Sequence, residues 1–355
     1  MLTSISQARM SLLASLWRLG STPSKPHPCC PCDSHDSLTI VEKAELLQDE
    51  LADAKSQKAR SLVQSIVSTH AELLKLKDLR PGKTINRLLG DLVTLCSDIY
   101  DQDIVNQVLN NPTLQSLLPS LRQICAEAEA CLEHHWTDYI LRGCTPEEVQ
   151  SRLKSFPYYH NYEDLTRLEL CAILSATKRP PSRIAFIGSG PLPLTSLCLL
   201  DALKHDPLVS QPLSGTKPSS GPIVLNIDCS PAAISSSLSL SLALGPPGQG
   251  MEFICADVTD PVQEKDLVEF DVVYMAALVG MSQAEKEMII LQVADRMRPG
   301  ALLVVRSAWG MRTCLYPEVQ IATEGLLKRL EICVVVHPYG QVVNSVVVAR
   351  VRVRE

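Results

Sequence analysis

Gly188 and Gly190 carry the strongest chemical signal in this chain, within the run RIAFIGSGPLPLTS from Arg183 to Ser196. The run reads as a short buried strand, a glycine turn and the start of a helix. Glycine allows a sharp turn and lets a ligand approach where a Cβ would clash. With Ser189 and Pro191 these two glycines would form a cradle. The third glycine of a dinucleotide fingerprint is missing, and Pro191 and Pro193 follow instead. That argues against a pyrophosphate. A ligand with a ribose and no phosphates fits better, and S-adenosyl-L-methionine is the commonest such ligand on this fold.

Two acids belong to the same reading. Asp228 ends a second strand in VLNIDCSP, where a carboxylate can accept two hydrogen bonds from ribose hydroxyls. Helix capping is the alternative role. Asp257, in CADVTD, ends a third strand and would sit beside an adenine ring or act as a solvated loop acid. After the fourth strand, Ala276, Ala277, Leu278 and Gly280 offer a small apolar floor near the switch point of an open α/β sheet.

Two further clusters stand apart from the glycine turn. In CAEAEACLEHH, Glu127 is followed by Glu129 and Glu133, and the last two share one helical face at i and i+4. That face is either solvated or part of a site. In FPYYHNY, Tyr158, Tyr159 and Tyr162 fall close together in a chain with only 4% aromatic residues. Packing does not readily account for all three, since each buried hydroxyl needs a partner. His134 and His135 are adjacent and diverge on a helix, so they are read as core or surface residues and not as metal ligands.

The elements that would position these groups follow from periodicity. From Leu38 to about Thr145, apolar residues recur at helical spacing, broken by Pro81-Gly82 and resumed after Pro112, which predicts a bundle of short-connected helices. Thr145, Pro146 and Glu148 form a capping-box signature for another helix. FPYYHN, from Phe156 to Asn161, is expected to be an irregular aromatic connector. Past Ser182 the period changes to short β-branched runs: RIAFIG, PIVLNID, MEFICAD, DVVYMAA, ALLVVRS, EICVVV and NSVVVAR. These predict an α/β fold, a largely parallel, doubly wound Rossmann-like sheet of seven strands. The link HPYGQVV is too short for a crossover helix, so the last two strands should form an antiparallel hairpin, as in S-adenosylmethionine-dependent transferases. Lys204 to Gly221 should be a surface loop. The expected organisation is a disordered or targeting-like tail over residues 1–37, a helical domain over 38–165, and a Rossmann-like S-adenosylmethionine-binding domain over 166–355.

Composition bounds the class. A net charge of -6 argues against nucleic acid as the main partner, and no apolar run is long enough to predict a membrane span. The chain has 13 cysteines, most of them single residues in apolar runs. No disulfide framework is apparent, which points to a reducing compartment, taken as the cytoplasm. CCPC at Cys29, Cys30 and Cys32 lacks a second ligand pair at finger spacing, so no metal site is predicted. The tail carries Arg9, Arg18 and Lys25 and no acid up to Cys32, a weak transit-peptide pattern. A homodimer is left open.

Together these stretches resemble the nicotianamine synthase family. FPYYHNYEDLTRLE, FIGSGPLPLTS, MAALVGM, RPGALLVVRSAWGMRTCLYP and HPYGQVVNSVVVAR match family stretches in order, and the similarity runs from about Ser37 to Arg350. The resemblance implies transfer of the 3-amino-3-carboxypropyl group of S-adenosylmethionine, which serves as substrate. Successive transfers with ring closure give nicotianamine, a metal chelator, and release 5′-methylthioadenosine. No redox cofactor or catalytic metal is implied. On this reading Glu129 or Glu133 takes the acceptor's proton, with Glu127 behind them on the substrate. Tyr158, Tyr159 and Asn161 hold the amino-acid end of the arm or the acceptor, with Tyr159 counted among the catalytic groups. A methyltransferase on the same fold and a non-catalytic S-adenosylmethionine-binding protein remain as alternatives.

Overall fold

Helical periodicity yields helices wherever a cap is available to start them. In the computed structural model, which describes residues 40–177, 179–205, 221–260 and 266–353, the first helices are α1 (Ile40–Leu73), α2 (Lys83–Ser97), α3 (Gln102–Leu109), α4 (Pro112–Ile140) and α5 (Pro146–Lys154). Asp101 caps α3 by accepting from the Asp103 N–H at 2.9 Å. Asn111 caps α4 through the Leu114 N–H, with Pro112 in the first position. At α5 the Thr145 hydroxyl accepts from the Glu148 N–H at 3.3 Å, and the Glu148 carboxylate reaches back to the Cys144 N–H at 2.8 Å. The tail over 1–37, with CCPC, and most of Lys204–Gly221 lie outside the described residues. Chain contacts divide after Leu51, and the helices from α2 onward and all seven strands lie in the unit Ala52–Glu355.

Phe156 and Pro157 do form a turn, but the expected connector ends there. Tyr159 already opens α6 (Tyr159–Ala176), so Tyr159 and Asn161 occupy its first turn. Leu165, Leu170, Ala172 and Ile173 of this helix bury against Ile184, Phe186, Val304 and Val346 of the sheet. The boundary expected between 165 and 166 therefore falls inside a helix whose buried face belongs with the strands.

The seven strands are β1 (Arg183–Ile187), β2 (Ile223–Asp228), β3 (Met251–Cys255), β4 (Val272–Met275), β5 (Leu302–Ser307), β6 (Leu330–Val336) and β7 (Ser345–Val351). Their order is β3-β2-β1-β4-β5-β7-β6. The first five run parallel, and β7 lies antiparallel to both β5 and β6. Helices cover both faces, which is why β1, β4 and β5 read as continuous apolar runs and not as alternations. The order reverses between β1 and β4, and a crevice opens at their carboxyl ends. The crossover helices are α7 (Leu194–His205), α8 (Pro231–Leu244) and α9 (Gln283–Arg296), with the short α10 (Glu324–Arg329) leading into β6.

One segment joins the helices to the sheet. After β5 the chain makes a 3-10 turn at Gly310–Cys314, and Met311, Cys314 and Leu315 bury among Ile66, Leu73, Leu88, Leu92 and Leu121. Arg122 of α4 donates to the Thr313 carbonyl at 2.6 and 2.9 Å, and Arg312 donates to the Ser97 and Gly340 carbonyls. The helical layer is thus fixed over the carboxyl end of β5.

Candidate active site

The glycine turn closes on β2. Gly188 and Gly190 take φ of 76° and 69°. The Gly188 N–H donates to the Ile227 carbonyl at 2.8 Å, and the Gly190 N–H donates to the Asp228 carboxylate at 2.9 Å. The other Asp228 oxygen accepts from the Ser230 N–H at 2.9 Å, while Ser230 itself caps α8. Asp228 thus braces both turns at the end of β2 and also faces the crevice. Glycine is needed at both positions for two reasons. The positive φ is costly for other residues, and a Cβ would lie 2.6 Å from Val279 Cγ2 at Gly188 and 2.6 Å from Glu133 Oε2 at Gly190.

The same crevice is a cavity of about 830 Å³, and it collects most of the residues expected from the sequence. Gly188, Ser189, Gly190 and Pro191 form one wall, with Asp228 and Asp257 at the ends of β2 and β3 and Ala276 and Ala277 beyond β4. Asp257 is exposed, and its carboxyl lies below the usual range because the Thr259 hydroxyl and N–H donate to it. Ser189 is 8% exposed, and its hydroxyl has no protein partner. Lys286 of α9 is fully buried and clamps the floor loop, donating to the Ala277 carbonyl at 2.6 Å and the Val279 carbonyl at 2.8 Å. Burial lowers its ammonium pKa to about 8.

The opposite wall is α4. Its Thr137 hydroxyl lies within hydrogen-bonding reach of the Pro191 carbonyl, at 3.2 Å, so the helix crosses directly over the glycine turn. One helical turn earlier, Glu133 overhangs Gly190, and Glu129 follows at i-4 on the same face. Tyr162 donates to Glu133 at 3.3 Å and Tyr316 donates to Glu129 at 3.0 Å. Both glutamates keep some accessible surface toward the cavity, and protein encloses the rest of each side chain. Burial raises both carboxyls. For Glu133 the effect is large and is reinforced by the charges of Glu129 and Asp228, against the Tyr162 hydrogen bond and Arg306.

The tyrosine segment separates into two faces. Tyr158, Asn161 and Tyr162 line the cavity; Tyr158 is 40% exposed, and Asn161 donates to the Gln341 carbonyl at 3.0 Å. Tyr159 does not line it. On a helix it lies about 100° from its neighbours, and it packs toward Leu192, Leu194 and Leu197, where burial pushes its phenol up to about 12. These contacts account for Tyr159 as a packing residue. Glu127 likewise lies away from the residues that line the cavity. It is exposed on the far side of α4, takes a hydrogen bond from Gln123 and does not line the cavity.

Tyr316 and Arg306 are not singled out by the sequence reading, and Tyr162 enters it only as a member of the tyrosine cluster, with no role of its own. Tyr162, Tyr316 and Arg306 all line the cavity. Arg306 of β5 is bound through Nε and Nη2 to Glu169 at 2.7 and 3.2 Å, and Nη2 also donates to Thr195 at 2.7 Å. Burial opposes its charge, but Glu169, itself fully buried, outweighs this and keeps the guanidinium charged. A signal existed in the sequence, because an arginine inside the apolar strand LLVVRS and a glutamate on the apolar face of α6 each require a partner. Among the described residues no group of three or more His, Cys, Asp or Glu could hold a metal ion. Chemically, a glycine turn with an acid at the next strand end can hold a ribose-bearing ligand, and two carboxyls of raised pKa across the cavity can exchange a proton.

Comparison with known proteins bears on this geometry. Residues 54–354 match the family described as nicotianamine synthase protein. Probable nicotianamine synthase 2 of Hordeum vulgare is 36% identical over 304 residues, covering 84% of this chain and 83% of the relative. Nicotianamine synthase 3 of Oryza sativa subsp. indica is 35% identical over 318 residues, covering 88% of this chain and 85% of the relative. Among solved structures, a glutamate-to-glutamine mutant of MtNAS in complex with S-adenosylmethionine superposes with a TM-score of 0.64 at 23% identity, over 82% of this chain and 98% of that one. MtNAS in complex with MTA and tNA gives a TM-score of 0.62 at 21% identity, over 83% and 97%.

Proposed function

Since the chain belongs to the nicotianamine synthase family, we infer that it transfers the 3-amino-3-carboxypropyl group of S-adenosylmethionine to an amine, in successive steps that end in nicotianamine. The observation that carries the mechanism is the position of Glu133, over Gly190 of the donor cradle, in a setting that raises its pKa.

Each transfer needs a neutral amine in line with the γ-carbon of the donor's methionine arm. The nitrogen forms a bond to that carbon, the carbon–sulfur bond breaks, and its electron pair leaves with sulfur as neutral 5′-methylthioadenosine. The amine's proton passes to a carboxylate. A carboxylate of ordinary acidity would be a weak base for an amine. Burial raises its basicity, and the same apolar wall favours the neutral amine. Of the two candidates we assign the base to Glu133, which faces the glycine turn, and give Glu129 a supporting electrostatic role through the charge coupling between them. Tyr162 orients Glu133, Tyr316 orients Glu129, and Tyr158 and Asn161 border the space left for the arms. On this reading Asp228 takes the ribose and Asp257 the adenine, supported by the position of both along the cavity at the ends of β2 and β3. The helices before Tyr159 supply the acceptor side and the sheet supplies the donor side.

The product carries several amines and carboxylates, so a role in metal homeostasis follows from its chemistry. We place the chain in a reducing cytoplasm, a reading supported by cysteines that stand mostly as single residues in apolar runs. No described helix is long and apolar enough to cross a membrane.

Mass spectrometry of the purified chain incubated with S-adenosylmethionine alone tests the reading. Methylthioadenosine with nicotianamine is the expected result. Methylthioadenosine with a smaller condensation product would keep the chemistry and shorten its course. S-adenosylhomocysteine formed only with an added acceptor would overturn the reading in favour of methyl transfer.

A further inference from the structure

We propose that Arg306 and Asn344 form a subsite for the carboxylate of an amino-acid arm, so that the arm's amine is turned toward Glu133; this rests on the transfer reading above. Side chains alternate along β5 and β7. Leu302 and Val304 share a buried face with Val346 and Val348, so Arg306 and Asn344 continue that face by one step each. Register pairs Arg306 with Val346, which puts Asn344 on the diagonal across the two strands. Both residues line the cavity.

Their unused donors point to an anion. Arg306 commits Nε and Nη2 to Glu169 and Thr195, and its Nη1 has no protein partner. The Asn344 Nδ2 is buried and donates to nothing. Buried donors are rarely left unsatisfied, so an unpaired amide in a cavity wall calls for an explanation, and a ligand acceptor supplies one. The free guanidinium Nη1 and the unpaired amide Nδ2 present N–H donors from the same face of the two strands, and such donors suit the two oxygens of a carboxylate. Arg306 is the one lysine or arginine among the described residues lining the cavity. Glu129 and Glu133 face the same space from α4 and repel an anion there. The charges thus impose an order: carboxylate at β5, amine at α4. The Glu169 contact fixes the guanidinium before a ligand arrives, so little ordering is left to binding.

The carboxylate could belong to the donor or to the acceptor, and binding separates the two. Dissociation constants of the full chain would be measured by calorimetry for S-adenosylmethionine, its decarboxylated analogue, nicotianamine and methylthioadenosine. Wild type should bind S-adenosylmethionine at least tenfold more tightly than the decarboxylated analogue. Asn344→Asp places a carboxylate where the amide donor was, and Asn344→Leu removes the donor without adding charge. Each should weaken a carboxylate-bearing ligand about tenfold and leave methylthioadenosine within twofold. A loss confined to S-adenosylmethionine assigns the subsite to the donor, and a loss confined to nicotianamine assigns it to the acceptor. Unchanged binding of both ligands in both variants overturns the subsite, as does equal weakening of methylthioadenosine. Methylthioadenosine release by wild type is followed in parallel. If release is normal and wild type does not discriminate against the decarboxylated analogue, the subsite fails alone. If release is absent, the transfer reading fails with it.

Discussion

At Glu133, function and stability pull in opposite directions. A buried carboxyl whose folded pKa lies above its unfolded value adds stability while protonated. That contribution is fully present below the ordinary carboxylate range and is lost as pH rises through the raised value. Glu133→Gln removes the loss, so melting at neutral pH should rise, by about 2 °C. The same variant should cut methylthioadenosine release by about 10²–10⁴-fold, with S-adenosylmethionine affinity nearly unchanged in calorimetry. A variant that still turns over would move the base to Glu129. Tyr162 gives a finer test, since its hydroxyl holds the Glu133 pKa down. In Tyr162→Phe that pKa should rise, and the acid limb of the pH–rate profile should move to higher pH. Tyr159→Phe and Glu127→Gln should leave both rate and profile unchanged, because neither side chain reaches the cavity.

Among the elements, the floor loop after β4 depends on one helix. Lys286 reaches back from α9 to hold the Ala277 and Val279 carbonyls, and among the described residues no other side chain donates to those two oxygens. Lys286→Met should free the loop that faces the donor, raising KM for S-adenosylmethionine about tenfold, a loss of roughly 1.4 kcal/mol of binding, with a smaller change in kcat. Steady-state kinetics over a range of donor concentrations up to saturation separate the two effects. An unchanged KM would make Lys286 a structural cation only. Element identity was largely legible in the sequence. The seven strands and the antiparallel final hairpin were read from β-branched runs and one short link, and the structure contains them. The start of α6 was not read. Its first turn is dense in tyrosines, which resemble a connector locally, and only the sheet contacts of Leu165, Leu170 and Ile173 reveal the helix.

Across the whole molecule, the Arg306–Glu169 pair ties α6, β5 and α7 together at the back of the site. Removing one partner leaves the other charge buried, so Glu169→Gln should cost about 3–5 kcal/mol in chemical denaturation. A loss under about 1 kcal/mol would mean that water reaches the guanidinium. The 3-10 segment after β5 makes a second tie, from the sheet into the helical core.

What the sequence determined by itself was the set of local conformations, the glycine turn included. Glycines before a helix, an acid at the next strand end and β-branched runs are signals written in adjacent residues, and local sterics read them the same way in any context. Tertiary structure decided which side chains meet. Glu133 acquires its raised pKa only because α4 crosses Gly190, and Tyr316 finds Glu129 from 187 positions away. Arg306 becomes a cavity residue only because Glu169 is brought beside it, and a carboxylate's basicity and an arginine's burial depend on neighbours that spacing along the chain does not name.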